Sequence, residues 1–440
     1  MAIYLDYNAS APIDERVLER MVDVYRSHYG NADSRTHIFG TDAKEIVASA
    51  RKTIAEILAV DSTDVFFTSG STESNNMAIL GLLDYALESG RNHFITTSIE
   101  HKSVLESMKH LQEKGCVVDF VSPDTSGRIK PKQILDLVTD KTLLVSMMHV
   151  NSETGVIQPI EEVGAALAGT KTYFHVDATQ GFGKLNGSLR NAKYNMLSIT
   201  AHKLGGPQGI GALIIRRDRT YRRPPVKQLM YGGQQERGYR PGTTPVALVA
   251  GFALAAELCN KEASDHMGKC KAIKQNFMEA IQGLNYTLNG DQEYCLPSTV
   301  NISFRGVDAE GIFLAVKEDY AFSNGSACNS GSHTPSYVLT AMGLDEARIS
   351  EAVRISWNHN TGNTSSKGKY TGGTIEENQV HSYNMRKNSR WRSSHEKESH
   401  VVRAPAFRIA FRMRRRAIAR ANSRKHTESS NAAGRNACFL

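Results

Sequence analysis

Apolar residues over the first 260 positions follow two alternating rhythms. Between 43 and 58, Ala43, Ile46, Val47, Ala50, Ile54, Ile57 and Leu58 recur at three- and four-residue spacing, which predicts a helix with one buried stripe. A Ser/Thr/Asp turn follows, then the apolar run "VFFTSG" (65–70), which predicts a strand. The change of rhythm repeats at "HFITT" (93–97), "VVDFV" (117–121), "LLVSMM" (143–148), "YFHVD" (173–177), "MLSIT" (196–200) and "GALII" (211–215). Runs that are apolar on both faces, joined by helical or turn-rich connections, predict an α/β fold with a mainly parallel sheet between helices. In open sheets of this kind ligands sit beyond the carboxyl ends of the strands, so chemistry is sought in the residues that follow each run.

Helical patterns around 245–283 lead into a second region with the strand-like "TVNISF" (299–304), a helical pattern near 308–318 and another helical stretch, which predicts a smaller α/β domain. The expected division is a large domain over 1–258, whose first 13 or so residues pack on the small domain, a small domain over 259–357, and a tail over 358–440. The tail opens with "NHNTGNTSSKGKYTGGT" and is too polar to offset its ordering entropy, so disorder is expected there.

Charge sharpens that division. The net charge is +8, yet residues 358–440 hold 17 Lys and Arg against 5 Asp and Glu, which leaves 36 against 40 for residues 1–357. The body is mildly acidic and the basic character belongs to the tail. The most apolar stretch, "VALVAGFALAA" (246–256), stops at Glu257 and reads as a buried helix, so no membrane span is expected. The opening "MAIYLDYNAS" lacks a basic leader and an apolar core, which leaves cytoplasmic residence as the expectation. The 6 cysteines have neither CxxC pairs nor zinc-type spacing, which predicts free thiols and no metal site.

Three motifs follow predicted strands. "TSGSTESNN" (68–76) precedes a helical pattern, so the amides near Ser71 and Thr72 form either an anion site or an ordinary helix cap. "HVDATQ" (175–180) ends a strand with Asp177, where a carboxylate could keep a heteroaromatic nitrogen protonated. "SITAHKLGGPQGIGALII" (198–215) sets His202 and Lys203 between two strands, among glycines that let backbone pass close to a ligand. A lysine there reads alone as a surface charge; beside an anion cradle and a strand-end acid it reads as an amine nucleophile for pyridoxal phosphate.

With "YLDYNASAP", "EHKSVL", "NSETGV", "GGQQERGYRPGT", "SNGSACNSGS" and "VRISW", these motifs run in order through residues 1 to about 357, and the chain resembles the cysteine desulfurases of the NifS/IscS type. The resemblance implies the fold type I of pyridoxal phosphate-dependent transferases, a homodimer, L-cysteine as substrate and a sulfur-acceptor protein as partner. It implies that Lys203 joins the cofactor, His101 stacks on its ring, Asp177 pairs with the ring nitrogen and Gln180 bonds the ring hydroxyl. Ser71 and Thr72 at the anion site, with Thr200, His202 and Thr243, would hold the phosphate, Thr243 reaching across from the other subunit. Asn151 and Arg354 would hold the substrate carboxylate, and Cys328 would take the sulfur as a persulfide. Thr200 stands where relatives usually have serine. The small residues of "SNGSACNSGS" (323–332) suit a thiol that must visit the cofactor and then an acceptor.

Other activities compatible with the motifs are selenocysteine lyase or another class V aminotransferase-like reaction. The Arg-rich tail also carries the charge for a weak nucleic-acid contact through 358–440. "YRPGTTPV" and "GSACNSG" are similar to segments of desulfurases serving DNA phosphorothioation; iron–sulfur cluster assembly and tRNA thiolation are the other expected destinations of the sulfur. After "RIS", "NHNTGNTSSKGKY" replaces the amphipathic helices with which relatives complete the small domain.

Overall fold

Seven of the apolar runs join into one sheet. The structure is a computed structural model and describes residues 2–218, 220–323 and 335–361; Cys328 and all but the first four residues of the expected tail lie outside the described residues. In chain order the strands are β1 (Ile3–Tyr4), β2 (Val65–Thr68), β3 (His93–Thr97), β4 (Val117–Val121), β5 (Thr142–Met148), β6 (Tyr173–Asp177), β7 (Met196–Thr200), β8 (Gly211–Ile215), β9 (Tyr286–Leu288), β10 (Thr299–Phe304), β11 (Tyr320–Ala321) and β12 (Ala352–Ser356).

The large sheet has the order β2-β8-β7-β6-β5-β3-β4. Its neighbours are parallel except at β8, which runs against both β2 and β7. The reversal follows from chain length. Only residues 201–210 separate β7 from β8, too few for the crossover that a parallel return needs. That short connection is where Lys203 lies, and Gly205 and Gly209 turn it with φ of 79° and 83°.

Every residue of β2, β3, β5, β7 and β8 is buried, because helices cover both faces. One face packs against the helices Ile38–Leu58 and Val246–Lys261, through residues such as Ile54, Phe174 and Phe252. The other packs against Ser71–Leu80 and Lys102–Glu113, through Met77, Phe94 and Leu111. The helix expected from 43 begins five residues earlier, at Ile38. His37 caps it by accepting from Gly40 N–H at 3.2 Å, a histidine cap that ordinary Ser/Thr/Asp/Asn signals do not include.

Beyond the helices Val246–Lys261 and Ala263–Ala280, β12, β10 and β9 form an antiparallel sheet. The N-terminus joins this region: β1 pairs with β11, and Asp6 bridges Ser356 of β12. Two-residue strands carry no periodicity, so β1 and β11 leave no pattern to read in the sequence. Among the described residues no helix is long and apolar enough to cross a membrane.

Candidate active site

The carboxyl ends of β2, β3, β5, β6 and β7 open onto a cleft of about 620 Å³, walled on its far side by Arg354 of β12. At one end lies the helix Ser71–Leu80. Its N-cap, Gly70, offers no side-chain cap, and the Ser71 hydroxyl is buried without a partner among the described residues. First-turn amides in that state are a ready anion site, strengthened by the helix dipole. Thr72, Thr200 and His202 line the same end. Glu73 would oppose an anion, but its carboxylate turns away to Ser69 N–H at 2.6 Å and Arg240 Nε at 3.1 Å. Burial, with the charge of Lys203 beside it, pushes the His202 ring down to about 4, so near neutral pH it offers a hydrogen bond rather than a charge.

Asp177 ends β6 with 4% of its surface exposed. Its Oδ2 accepts from Asn75 Nδ2 at 2.8 Å, and its Oδ1 accepts from Thr179 N–H at 3.0 Å and from the Thr179 hydroxyl. Three hydrogen bonds therefore fix the orientation of this carboxylate on the cleft wall. Gln180 donates from Nε2 to the Asn8 carbonyl at 2.9 Å. Lys203 Nζ donates to the carbonyls of Asn8 and Ala9, each at 2.5 Å. His101 caps the helix Lys102–Glu113: its Nδ1 accepts from Ser103 N–H at 3.2 Å. An N–H can only donate, so the proton of a neutral His101 sits on Nε2. The cap and the cleft wall are the same residue.

Two expected residues are not on the cleft wall. Asn151 lies just behind it, its Oδ1 accepting from the amides of Glu153 and Thr154, both at 2.9 Å, and its Nδ2 donating to the Ile99 carbonyl at 3.1 Å. Its amide builds the turn that carries Ser152, whose carbonyl accepts from Arg354 Nη1 at 3.1 Å. Thr243 is exposed and away from this chain's cleft. It lies on the segment 232–243, which Glu236 pins by a bidentate pair with Arg51 at 2.6 and 2.7 Å. Lines of the cleft that the motif reading passes over are Asn8, Lys102, Glu153, Thr179 and Tyr337. Asn75, four residues after Ser71 and so on the same side of its helix, is the partner of Asp177 that helical spacing could have found.

An uncapped helix with an orphaned hydroxyl, a desolvated strand-end carboxylate and a lysine in one cleft of a mostly parallel α/β sheet define a protein of the fold type I, pyridoxal phosphate-dependent transferase class. The residues present fit that group: Ser71, Thr72, Thr200 and His202 would hold its phosphate, Asp177 its ring nitrogen and Lys203 its aldehyde. Residues 3–364 match the family described as aminotransferase class-V. Over 359 residues the chain is 40% identical to "Cysteine desulfurase IscS" of Pasteurella multocida, covering 81% of this chain and 88% of that protein. Among solved structures it is similar to DndA from Streptomyces lividans, with 42% identity, a TM-score of 0.71, and coverage of 80% of this chain and 99% of that one. It is also similar to SspA in complex with cysteine, with 35% identity, a TM-score of 0.72, and coverage of 81% and 98%. The chain belongs to the aminotransferase class-V family and, within it, to the cysteine desulfurases of the NifS/IscS type.

Proposed function

We propose that this protein converts L-cysteine to L-alanine and passes the sulfur through a persulfide on Cys328 to an acceptor protein. The observation that carries the proposal is the convergence of Lys203, Asp177 and the uncapped helix at Ser71 on one cleft faced by Arg354. The cysteine bound to SspA supports L-cysteine as the substrate.

When bound, pyridoxal phosphate would supply an electron sink for the pair released at the substrate's α-carbon. In this reading Asp177 would keep the ring nitrogen protonated, Gln180 would bond the ring hydroxyl and His101 would stack against the ring. Arg354 holds the substrate carboxylate through its guanidinium, and Asn151 contributes through the turn that presents Ser152. The Lys203 amine takes the α-proton, with the Asn8 and Ala9 carbonyls as acceptors for the resulting ammonium. The Cys328 thiolate attacks the substrate sulfur. An S–S bond forms as the Cβ–S bond breaks, and the carbon skeleton takes up protons to become alanine.

Residues on either side of 324–334 bond to residues of the cleft wall. Arg354 N–H donates to the Ser323 carbonyl at 2.7 Å, and the Ser336 hydroxyl donates to Glu153 Oε2 at 2.6 Å. Cys328 is five residues from Ser323, a reach of up to about 17 Å for extended chain, which supports its role. Exposed Tyr29, Ile38, Phe39, Met230 and Tyr231 make apolar surface, and Gln235 Nε2 ties their two segments together through Asp33 at 2.9 Å. That surface, with the outward Thr243 beside it in the chain, supports a homodimer in which Thr243 completes the partner's phosphate site. The proposal includes the division into 1–258 and 259–357 and a cytoplasmic setting, where thiols stay reduced.

Borohydride reduction of the purified yellow protein, followed by peptide mapping, is expected to label Lys203. Cys328→Ala is expected to stay yellow and to form no persulfide from L-cysteine. A label at another lysine, or undiminished sulfide release by Cys328→Ala, would overturn the reading.

A further inference from the structure

Asp6 and Arg354 are 348 residues apart in the chain and share an ion pair at the cleft. Arg354 Nη2 donates to Asp6 Oδ1 at 2.6 Å, with 3% and 19% of the two side chains exposed. Asp6 is itself held. Its backbone bridges Ser356 on β12, Ser356 N–H donates to the Leu5 carbonyl at 2.9 Å, and the Tyr4 hydroxyl donates to the Asp6 carbonyl at 3.0 Å. Two residues on, Asn8 N–H donates to the Ser356 hydroxyl at 2.9 Å, while the Asn8 carbonyl accepts from both Gln180 and Lys203. A strap of three residues therefore touches the guanidinium at one end and the amine at the other.

We propose that Asp6 is a positioning residue for the substrate: it holds the Arg354 guanidinium at a set distance and orientation from Lys203, so that a carboxylate bound there presents its α-carbon to the amine. The inference rests on the reading of Arg354 as the carboxylate anchor. An arginine side chain has about 2 kcal/mol of rotamer entropy to lose. The Ser152 carbonyl holds one nitrogen of the guanidinium, and a charge-assisted bond from the other to a carboxylate locks its plane.

A plain counter-ion would act with the opposite sign. If Asp6 only neutralised Arg354, it would compete with the substrate's carboxylate, and removing it would tighten binding. If Asp6 positions Arg354, removing it weakens binding, because a misplaced anchor loses the productive geometry. The way Asp6 is built in favours the second: the backbone bridge to β12 joins it to the very strand that carries Arg354.

The test uses the holoenzyme. L-alanine is titrated against the absorbance of the bound cofactor, and KM and kcat are measured for L-cysteine. The proteins are wild type, Asp6→Ala, Asp6→Asn, Arg354→Gln and the double variant Asp6→Ala with Arg354→Gln. Asp6→Ala is expected to raise the L-alanine Kd and the L-cysteine KM about tenfold each and to lower kcat about tenfold as well, since a displaced anchor both weakens the hold on the carboxylate and moves the α-carbon away from the amine. Asp6→Asn keeps an acceptor oxygen and gives a smaller rise in the same direction. In the Arg354→Gln background Asp6→Ala adds nothing, because the two act as one unit. A lowered or unchanged Kd in Asp6→Asn and Asp6→Ala, or full additivity in the double variant, overturns the inference. Wild-type Kd and KM in Arg354→Gln would instead sink the anchor reading, with Asp6 falling alongside it. If Asp6→Ala does not fold, the Asp6→Asn titration alone decides the sign.

Discussion

Replacing Glu236 by leucine should be one of the most damaging single changes outside the cleft. The Glu236 side chain is 5% exposed and Arg51 13%. Its carboxylate takes both Nη atoms of Arg51, and it also accepts from Phe67 N–H at 2.9 Å. β2 is the edge strand of the sheet, so that last bond serves a backbone amide with no neighbouring strand on its outer side among the described residues. Glu236→Leu strands the guanidinium against the Phe67 ring, 4.7 Å away, with the Val65 carbonyl as its remaining partner. Breaking one side of a buried pair costs about 3–5 kcal/mol. A partial refund comes from the backbone. Glu236 and Arg237 sit at φ of 47° and 58°, and release of one of them would recover about 1 kcal/mol of left-handed strain. The net expectation is a loss of about 2–4 kcal/mol. Urea denaturation of the holoprotein measures it as a lower midpoint at constant slope. Arg51→Met in the same chain should restore most of the loss, because no buried charge is then left unpaired. The reasoning is refuted if Glu236→Leu loses less than about 1 kcal/mol, or if the double variant is no more stable than the single one.

Two further outcomes follow from local geometry. Ala59 closes the helix Ile38–Leu58 in the left-handed conformation, φ 53° and ψ 48°, with its side chain exposed, so Ala59→Gly should stabilise by about 0.5–1 kcal/mol; a lower urea midpoint would contradict this. Burial pushes the Glu100 carboxyl up to about 8, with the Asp177 charge adding to the effect. The unfolded chain gives up that proton near 4.5, so this group takes stability away as pH rises from 4.5 to 8, by up to about 1.4 kcal/mol per pH unit. Glu100→Gln should match the wild type at pH 4.5 and be the more stable protein at pH 8; parallel urea midpoints across that range would rule the assignment out.

Much of the large sheet was legible because period reports burial. All seven apolar runs became strands of one sheet, and the helical patterns near 308–318 and 245–283 became Ala309–Val316, Val246–Lys261 and Ala263–Ala280. The site was legible in part for a related reason. Strand-end positions 101, 177, 180, 200, 202 and 203 face one cleft because a parallel sheet gathers its carboxyl ends on one edge. Asn151 marks the limit of that logic. It follows β5 as expected, but its own turn consumes the amide that was expected to meet a substrate.

By itself, then, the chain's pattern determined which segments are buried strands and helices, which residue types follow them, and the family they spell out. The tertiary structure alone decided the reversal of β8, the Asn8 and Ala9 carbonyls under Lys203, the hold of Glu236 on Arg51, and the meeting of Asp6 with Arg354. The reason is physical. Periodicity records which side of an element avoids water, and every residue contributes to it locally. A backbone carbonyl has no side-chain signature, and an ion pair across 348 residues exists only after packing has brought two strands and a strap to the same place.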